Sequence, residues 1–200
     1  MSKRSSKIER NTAETKIKVF LDLDDDKWEK NKIDTGIGFM DHMLTLMATH
    51  GMFRLDVSCK GDTNVDYHHS VEDIGIVMGQ AIKEALGNMK GIKRYGDILL
   101  PMDEALIKCA VDLSGRSFLN FQVDFPTEKV GDFDTELFKE FFIALVRKSE
   151  ITLHLIKEAG ENSHHIAEGL FKAFGRVLSM GAMEDPRLKN KVPSTKGVLV

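Results

Sequence analysis

The motif His-His-x-x-Glu occurs twice, as His68, His69 and Glu72 and as His164, His165 and Glu168. Residues four apart share one face of a helix, so His68 can offer a metal ion a ligand beside Glu72, and His164 beside Glu168. The intervening His69 and His165 point about 100° away around the helix and are free to face a second ion. One copy alone reads as a polar helix start. Two copies at matching positions of a duplicated unit read as ligands, because core packing preserves apolar positions and has no use for paired imidazoles. Imidazole with carboxylate suits Mn, Fe, Zn, Ni or Cu. A structural zinc site is disfavoured, since Cys59 and Cys109 lie far apart and no CxxC occurs.

The elements that must position these residues come from an internal repeat. Residues 13–23 (AETKIKVFLDL) align with 103–113 (DEALIKCAVDL), and Ile17, Val19, Leu21 and Leu23 alternate as do Ile107, Cys109, Val111 and Leu113. Both are strands. Residues 39–50 align with 137–148 at helical spacing, and each helix gives way to an alternating strand: Phe53, Leu55 and Val57 in one half, Ile151, Leu153 and Leu155 in the other. The paired histidines then open an amphipathic helix, in which Ile74, Met78, Ala81 and Ile82 match Leu170, Phe174, Val177 and Leu178. The unit is strands, helix, strand, helix over residues 1–91, repeated over 92–184, with a tail at 185–200. Helices that each carry one apolar stripe need only one sheet face to cover, so the expected fold is α+β, helices packed on β-sheets, with the halves related by a pseudo-dyad. The charge-rich stretch 22–31 breaks the pattern and reads as a hairpin turn or a solvated loop.

Symmetry extends the ligand set. His42, in the short helix after Gly38, aligns with Glu140. Two sites of one composition follow: His42, His69, His164 and Glu168 in the first, Glu140, His165, His68 and Glu72 in the second. Either would leave positions open for substrate on an octahedral ion. His154 aligns with Asp56 on an outward strand face and reads as a surface residue. His50 ends the first short helix just before Gly51, where a cation at a helix C-terminus accounts for it; substrate contact is its alternative. Arg94, Arg116, Lys172 and Lys196 stand near loops, and such cations with the hydroxyls of PSTKG suit a phosphate. PSTKG is too short for a Walker loop.

Composition removes other classes of partner. The 28 Lys and Arg against 31 Asp and Glu leave no basic excess to neutralise a nucleic-acid backbone or hold an anionic membrane. No apolar run approaches the ~20 residues of a membrane span, and the basic residues of the first ten have no apolar segment behind them. The expectation is a cytoplasmic protein without nucleic-acid or membrane partners, its two cysteines buried and reduced.

Taken in order, TGIGFMDHML, HHSVED, DLSGR, ENSHHIAEGLFKAFGR and PSTKG resemble the imidazoleglycerol-phosphate dehydratase family of histidine biosynthesis over nearly the whole chain. The resemblance implies a hydro-lyase that removes water from D-erythro-imidazole-glycerol 3-phosphate to give imidazole-acetol phosphate. It also implies two Mn2+ per active site and a homo-oligomer of 24 subunits with active sites between subunits. Its metal ligands fall on His42, His68, His69, Glu72, His164, His165 and Glu168. Its phosphate contacts fall on Arg94, Arg116, Lys172, Ser194 and Lys196, to which Thr195 and His50 are added as substrate contacts. A catalytic glutamate falls on Glu14, otherwise an ordinary strand-end residue matched by Glu104, while Glu72 and Glu168 mainly hold metal. Many members carry His where Glu140 stands and Asp where Tyr67 stands. Two rival readings are a di-metal hydrolase and a metal-storage protein; storage needs no phosphate-binding cations.

Overall fold

The computed structural model describes residues 4–25, 30–188 and 191–197. The first half runs β1 (Ser5–Asn11), β2 (Thr15–Asp22), β3 (Lys32–Asp34), α1 (Gly38–Gly51), β4 (Arg54–Gly61) and α2 (His68–Leu86). The second runs β5 (Tyr95–Met102), β6 (Ala105–Asp112), β7 (Phe118–Gln122), a small hairpin of β8 (Lys129–Val130) and β9 (Phe133–Asp134), α3 (Leu137–Ser149), β10 (Thr152–Ala159) and α4 (Ser163–Ala182). Two four-stranded sheets result, ordered β1-β2-β4-β3 and β5-β6-β10-β7. In each, the first three strands are antiparallel neighbours and the fourth lies parallel to the third. The duplication read in the sequence is thus a duplication of topology, and the α+β class holds.

Alternation decides the strand faces. Ile17, Val19 and Leu21 of β2 are buried while Lys16 and Lys18 face solvent, and Ile107, Cys109 and Val111 repeat the arrangement in β6. Cys59 and Cys109 are both free and buried, and burial pushes both thiols up from their ordinary value. The helices pack across the pseudo-dyad: α1 against α4, α2 against α3, while α2 also covers β1 and β2 and α4 covers β5 and β6. The apolar centre is shared. Phe138, Phe141 and Phe142 of α3 meet Phe171 of α4, with the rings of Phe141 and Phe171 stacked at 5.3 Å.

Glycine makes both crossings close. Gly79 of α2 and Gly175 of α4 are equivalent in the repeat; a Cβ at either would collide with a backbone carbonyl oxygen, that of Leu145 in α3 or Met47 in α1. Leu145 and Met47 are themselves equivalent. Alanine in a helix interior is ordinarily favoured over glycine by about 1 kcal/mol. Here Gly79→Ala and Gly175→Ala should each destabilise by about 1–3 kcal/mol, because the helices must separate. A thermal melt in which either variant gains stability would refute the crossing geometry.

Two sequence expectations change. Of the two readings of 22–31, the hairpin turn fails, because β2 and β3 do not pair: β4 lies between them. Residues 26–29 of that stretch lie outside the described residues. Nor does α1 stop before Gly51; it includes Gly51, and Met52 takes the left-handed conformation that ends it (φ 53°). Gly51 serves the crossing instead, since its added Cβ would stand 2.8 Å from the Gly175 carbonyl oxygen. Among the described residues no helix is long and apolar enough to cross a membrane. The tail returns to the start of β5, where the Gly91 N–H donates to the Lys191 carbonyl at 3.0 Å.

Candidate functional site

The first turn of α4 is built to present its histidines. The side-chain oxygen of Asn162, the N-cap, accepts from the backbone N–H groups of His164 (2.9 Å) and His165 (3.4 Å). Packing of α1 along α4 then sets His42 opposite Glu168. Glu168 Oε1 lies 3.0 Å from His42 Nε2 and 3.1 Å from His164 Nε2, and the three ligand atoms fall within 4.8 Å of one another. Among the described residues this is the one group of three or more His, Cys, Asp or Glu side chains close enough to share an ion. Phe39 supports it with an edge contact to the His164 ring at 5.2 Å.

Glu168 is largely buried, and its two oxygens do different things. Oε1 faces the imidazoles; Oε2 accepts a 2.6 Å hydrogen bond from Lys172 Nζ one turn along. Burial opposes ionisation, but Lys172, His42 and His164 outweigh it and hold the carboxyl at about 2, below its ordinary 4.5. The group is therefore a carboxylate with one oxygen aimed at the cluster. Lys172, whose other contact is Met102 Sδ at 3.2 Å, stands beside this carboxylate and not beside Arg94.

Of the first expected set, His42, His164 and Glu168 assemble within the chain and His69 does not. Of the second, His68 comes to 3.8 Å from Glu72, while His165 is turned elsewhere and the side chain of Glu140, half-buried in the first turn of α3, makes no hydrogen bond or ion pair with a described residue. The reason is helix pairing. Each set takes three residues from one packed pair, α1 with α4 or α3 with α2, and one histidine from the opposite pair.

Those two histidines share a different arrangement. His69 Nδ1 stands 3.0 Å from Asp62 Oδ2 and 3.9 Å from Glu14 Oε2; His165 Nδ1 stands 2.7 Å from Glu104 Oε2. Hydrogen bonding to Asp62 raises the His69 pKa, and hydrogen bonding to Glu104 raises that of His165. Glu104 in turn is held at about 2, first by His165 and then by backbone N–H groups that include those of Asn162 and Glu161. A carboxylate on Nδ1 fixes the ring's orientation and leaves Nε2 as the nitrogen that could bind an ion. Asp62 was missed in the sequence because its repeat position is Gly160; Glu104 was visible only as the counterpart of Glu14.

The cations divide. Arg94 is buried, adopts a left-handed backbone (φ 75°), and forks onto Asp112 at 2.6 and 3.0 Å while donating to the Pro193 carbonyl at 3.0 Å. Arg116 lies 3.6 Å from the same carboxylate and is 55% exposed. Ser194, Thr195 and Lys196 follow the Pro193 contact, with the Lys196 N–H donating to Ser194 Oγ at 3.2 Å. Arg94, Arg116 and the tail thus gather around Asp112, which composition and spacing could not single out. His50 departs from the helix-end cation expected of it: burial first, then Lys172 and Arg176, lower its pKa and favour the neutral ring. His154 sits on the outer sheet face, 3.2 Å from the Asn120 amide.

A duplicated α+β chain converges two imidazoles and an ionised carboxylate that could hold a divalent ion, with two further carboxylate-oriented imidazoles and a separate pair of arginines. The comparisons make the class specific. The model of the imidazoleglycerol-phosphate dehydratase family matches residues 35–178. The imidazoleglycerol-phosphate dehydratase of Gluconacetobacter diazotrophicus is 52% identical over 98% of each chain, and that of Thioalkalivibrio sulfidiphilus 50% identical over 100% of each. The Staphylococcus aureus crystal structure of that name superposes with a TM-score of 0.82 at 39% identity, covering 90% of this chain and 99% of the other. One from Pyrococcus furiosus, in complex with (S)-C348, also gives 0.82, at 35% identity over 96% and 100%. The chain belongs to the imidazoleglycerol-phosphate dehydratase family and is a hydro-lyase.

Proposed function

We propose that this chain removes water from D-erythro-imidazole-glycerol 3-phosphate to give imidazole-acetol phosphate in L-histidine biosynthesis, in the cytoplasm, with two Mn2+ per active site and as a homo-oligomer of 24 subunits. The observation that carries this reading is the convergence of His42 Nε2, His164 Nε2 and Glu168 Oε1. Two imidazoles and a carboxylate are a fitting donor set for a borderline divalent ion. His42, His164 and Glu168 would hold one ion and His68, Glu72 and Glu140 the other, each completed by His69 or His165 of another chain. That each set lacks one histidine from the opposite helix pair supports sites shared between subunits.

The ions, when bound, would act as Lewis acids on the substrate imidazole, which must accept the electrons released when a carbon-bound proton leaves without an adjacent carbonyl. The chain's own residues do the rest. Lys172 fixes Glu168, Asp62 and Glu104 orient His69 and His165, and Glu14, 55% exposed beside His69, moves a proton at the glycerol carbons. Arg116, Lys196, Ser194 and Thr195 bind phosphate, with Arg94 placing the tail that carries three of them. Incubation with manganese and substrate, followed by the enolised absorbance of imidazole-acetol phosphate, tests the whole. Bound manganese without product would indicate storage, and released inorganic phosphate a hydrolase.

The second ion has its own test. Glu140 is the carboxylate counterpart of His42, so Glu140→Ala should weaken one of two manganese ions selectively while the other keeps its affinity. Stoichiometry and affinity equal to the parent's at limiting metal would remove Glu140 from the ligand set.

A further inference from the structure

The two halves treat their equivalent glutamates differently. Glu104 is tied down directly, to His165 and to two backbone N–H groups at the start of α4. The Glu14 carboxylate accepts no such bond from a described residue, and Oε2 stands 3.9 Å from His69 Nδ1, beyond a hydrogen bond. What is held instead is the turn that carries it. The Thr12 N–H donates to the Thr15 carbonyl at 2.8 Å, and the N–H groups of Glu14 (3.2 Å) and Thr15 (2.9 Å) donate back to Thr12 Oγ1. This closed turn is then pinned to α2: Thr15 Oγ1, fully buried, donates to Asp73 Oδ2, and Arg10 Nη1 from β1 donates to the same oxygen. Asp73 is four residues after His69, so both lie on the α2 face that meets the turn.

The pseudo-dyad supplies the control. Arg10, Thr15 and Asp73 correspond to Leu100, Ala105 and Gly169, as the shared pairing of Arg10 with Ile17 and Leu100 with Ile107 shows for the first. The second half packs these positions without polar groups; a Cβ on Gly169 would lie 2.7 Å from Ile107 Cγ1. This ionic network, with Thr15 and Asp73 buried and Arg10 partly exposed, therefore exists only where the glutamate is left unbound, so it is not required by the fold unit itself. Burying Asp73 and Thr15 in an apolar layer costs free energy unless their bonds are made, and those bonds hold a single backbone placement of the turn.

We propose that Arg10, Thr15 and Asp73 are positioning residues that fix the Glu14 turn against α2 and thereby set where Glu14 exchanges its proton. The proposal rests on Glu14 acting in the reaction. The geometry gives Glu14 a fixed base and a free carboxylate, which allows it to reach two positions on a substrate from one anchored turn, whereas Glu104 is confined to supporting His165.

Thr15→Val removes the hydroxyl at nearly constant volume and is measured in the manganese-loaded, assembled protein, alone and with Glu14→Gln, beside Thr15→Ser. A misplaced general acid or base loses about 10- to 100-fold in rate. Thr15→Val should lose that much in kcat with KM and bound manganese unchanged, Thr15→Ser should recover parental turnover, and Thr15→Val should add less than about twofold once Glu14 is already Gln. Equal losses in both backgrounds, or loss of manganese with Thr15→Val, would mean a merely structural role and overturn the proposal. Normal turnover of Thr15→Val with impaired Glu14→Gln sinks the triad alone; normal turnover of Glu14→Gln removes the role of Glu14 itself and the triad with it. Should Thr15→Val fail to assemble, Asp73→Asn carries the same expectations in both backgrounds.

Discussion

Glu168→Gln is expected to lose manganese and turnover together. The substitution keeps the shape of the side chain but withdraws the negative charge that two imidazoles and Lys172 surround. Residues that only support a metal ligand contribute 10- to 100-fold to metal affinity, so loss of a direct ligand should cost more than about 100-fold. Turnover at limiting manganese should fall by about 10^3-fold, several kcal/mol of lost electrostatic stabilisation. Metal-free protein gives an independent reading. The Glu168 carboxyl, held at about 2 against an ordinary 4.5, contributes stability that is fully present above pH 4.5 and is lost as pH falls toward 2. Parent protein should therefore be more stable than the variant near neutral pH, and the gap should close in acid. Metal analysis and denaturant titrations at pH 7 and pH 3 check both parts. Full manganese occupancy in the variant, or a stability gap that widens in acid, would show that Glu168 is not the centre of the site.

How far the site could be read from the chain depends on the range of the forces involved. Elements whose apolar residues alternate or recur at helical spacing were readable: β2, β4, β6, β10 and all four helices. The outer strands were not. In β1 only Ser6 and Ile8 are buried, β3 has three residues, and β7 has no buried residue, so none carries an apolar pattern of its own and pairing with a neighbour is what makes it a strand. Local geometry likewise sufficed for His164 with Glu168, which one helical turn brings together, and the repeat supplied His42. Whether His69 joins them is decided by α1 packing on α4 while α2 packs on α3, and no spacing within one helix records that choice. The electrostatics of His50 escaped for the same reason, since the packing of α1 on α4 buries it and brings Lys172 and Arg176 near. Asp62 and Asp112 escaped because single aspartates near strand ends carry no periodicity, and their importance appears only when His69 or Arg94 is seen to turn toward them.

Glu14→Gln should leave manganese binding intact and reduce kcat by about 10^2- to 10^4-fold, the range ordinarily supplied by a positioned general acid or base. The equivalent substitution in the other half provides the contrast. Glu104 accepts from His165 Nδ1 at 2.7 Å and from the N–H groups of Glu161 and Asn162, so Glu104→Gln loosens His165 and the start of α4. Its deficit should appear as manganese affinity weaker by about 10- to 100-fold, recovered in excess metal. Glu14 makes none of these bonds, so excess manganese should not rescue Glu14→Gln. Two residues that align in a duplicated chain would then fail in opposite ways, one by losing a metal and one by keeping it without turnover. The measurement is kcat against manganese concentration for the two variants. Recovery of Glu14→Gln at high manganese would place Glu14 among the ligand supports beside Glu104, and near-parental turnover at every concentration would reduce it to the last residue before a strand.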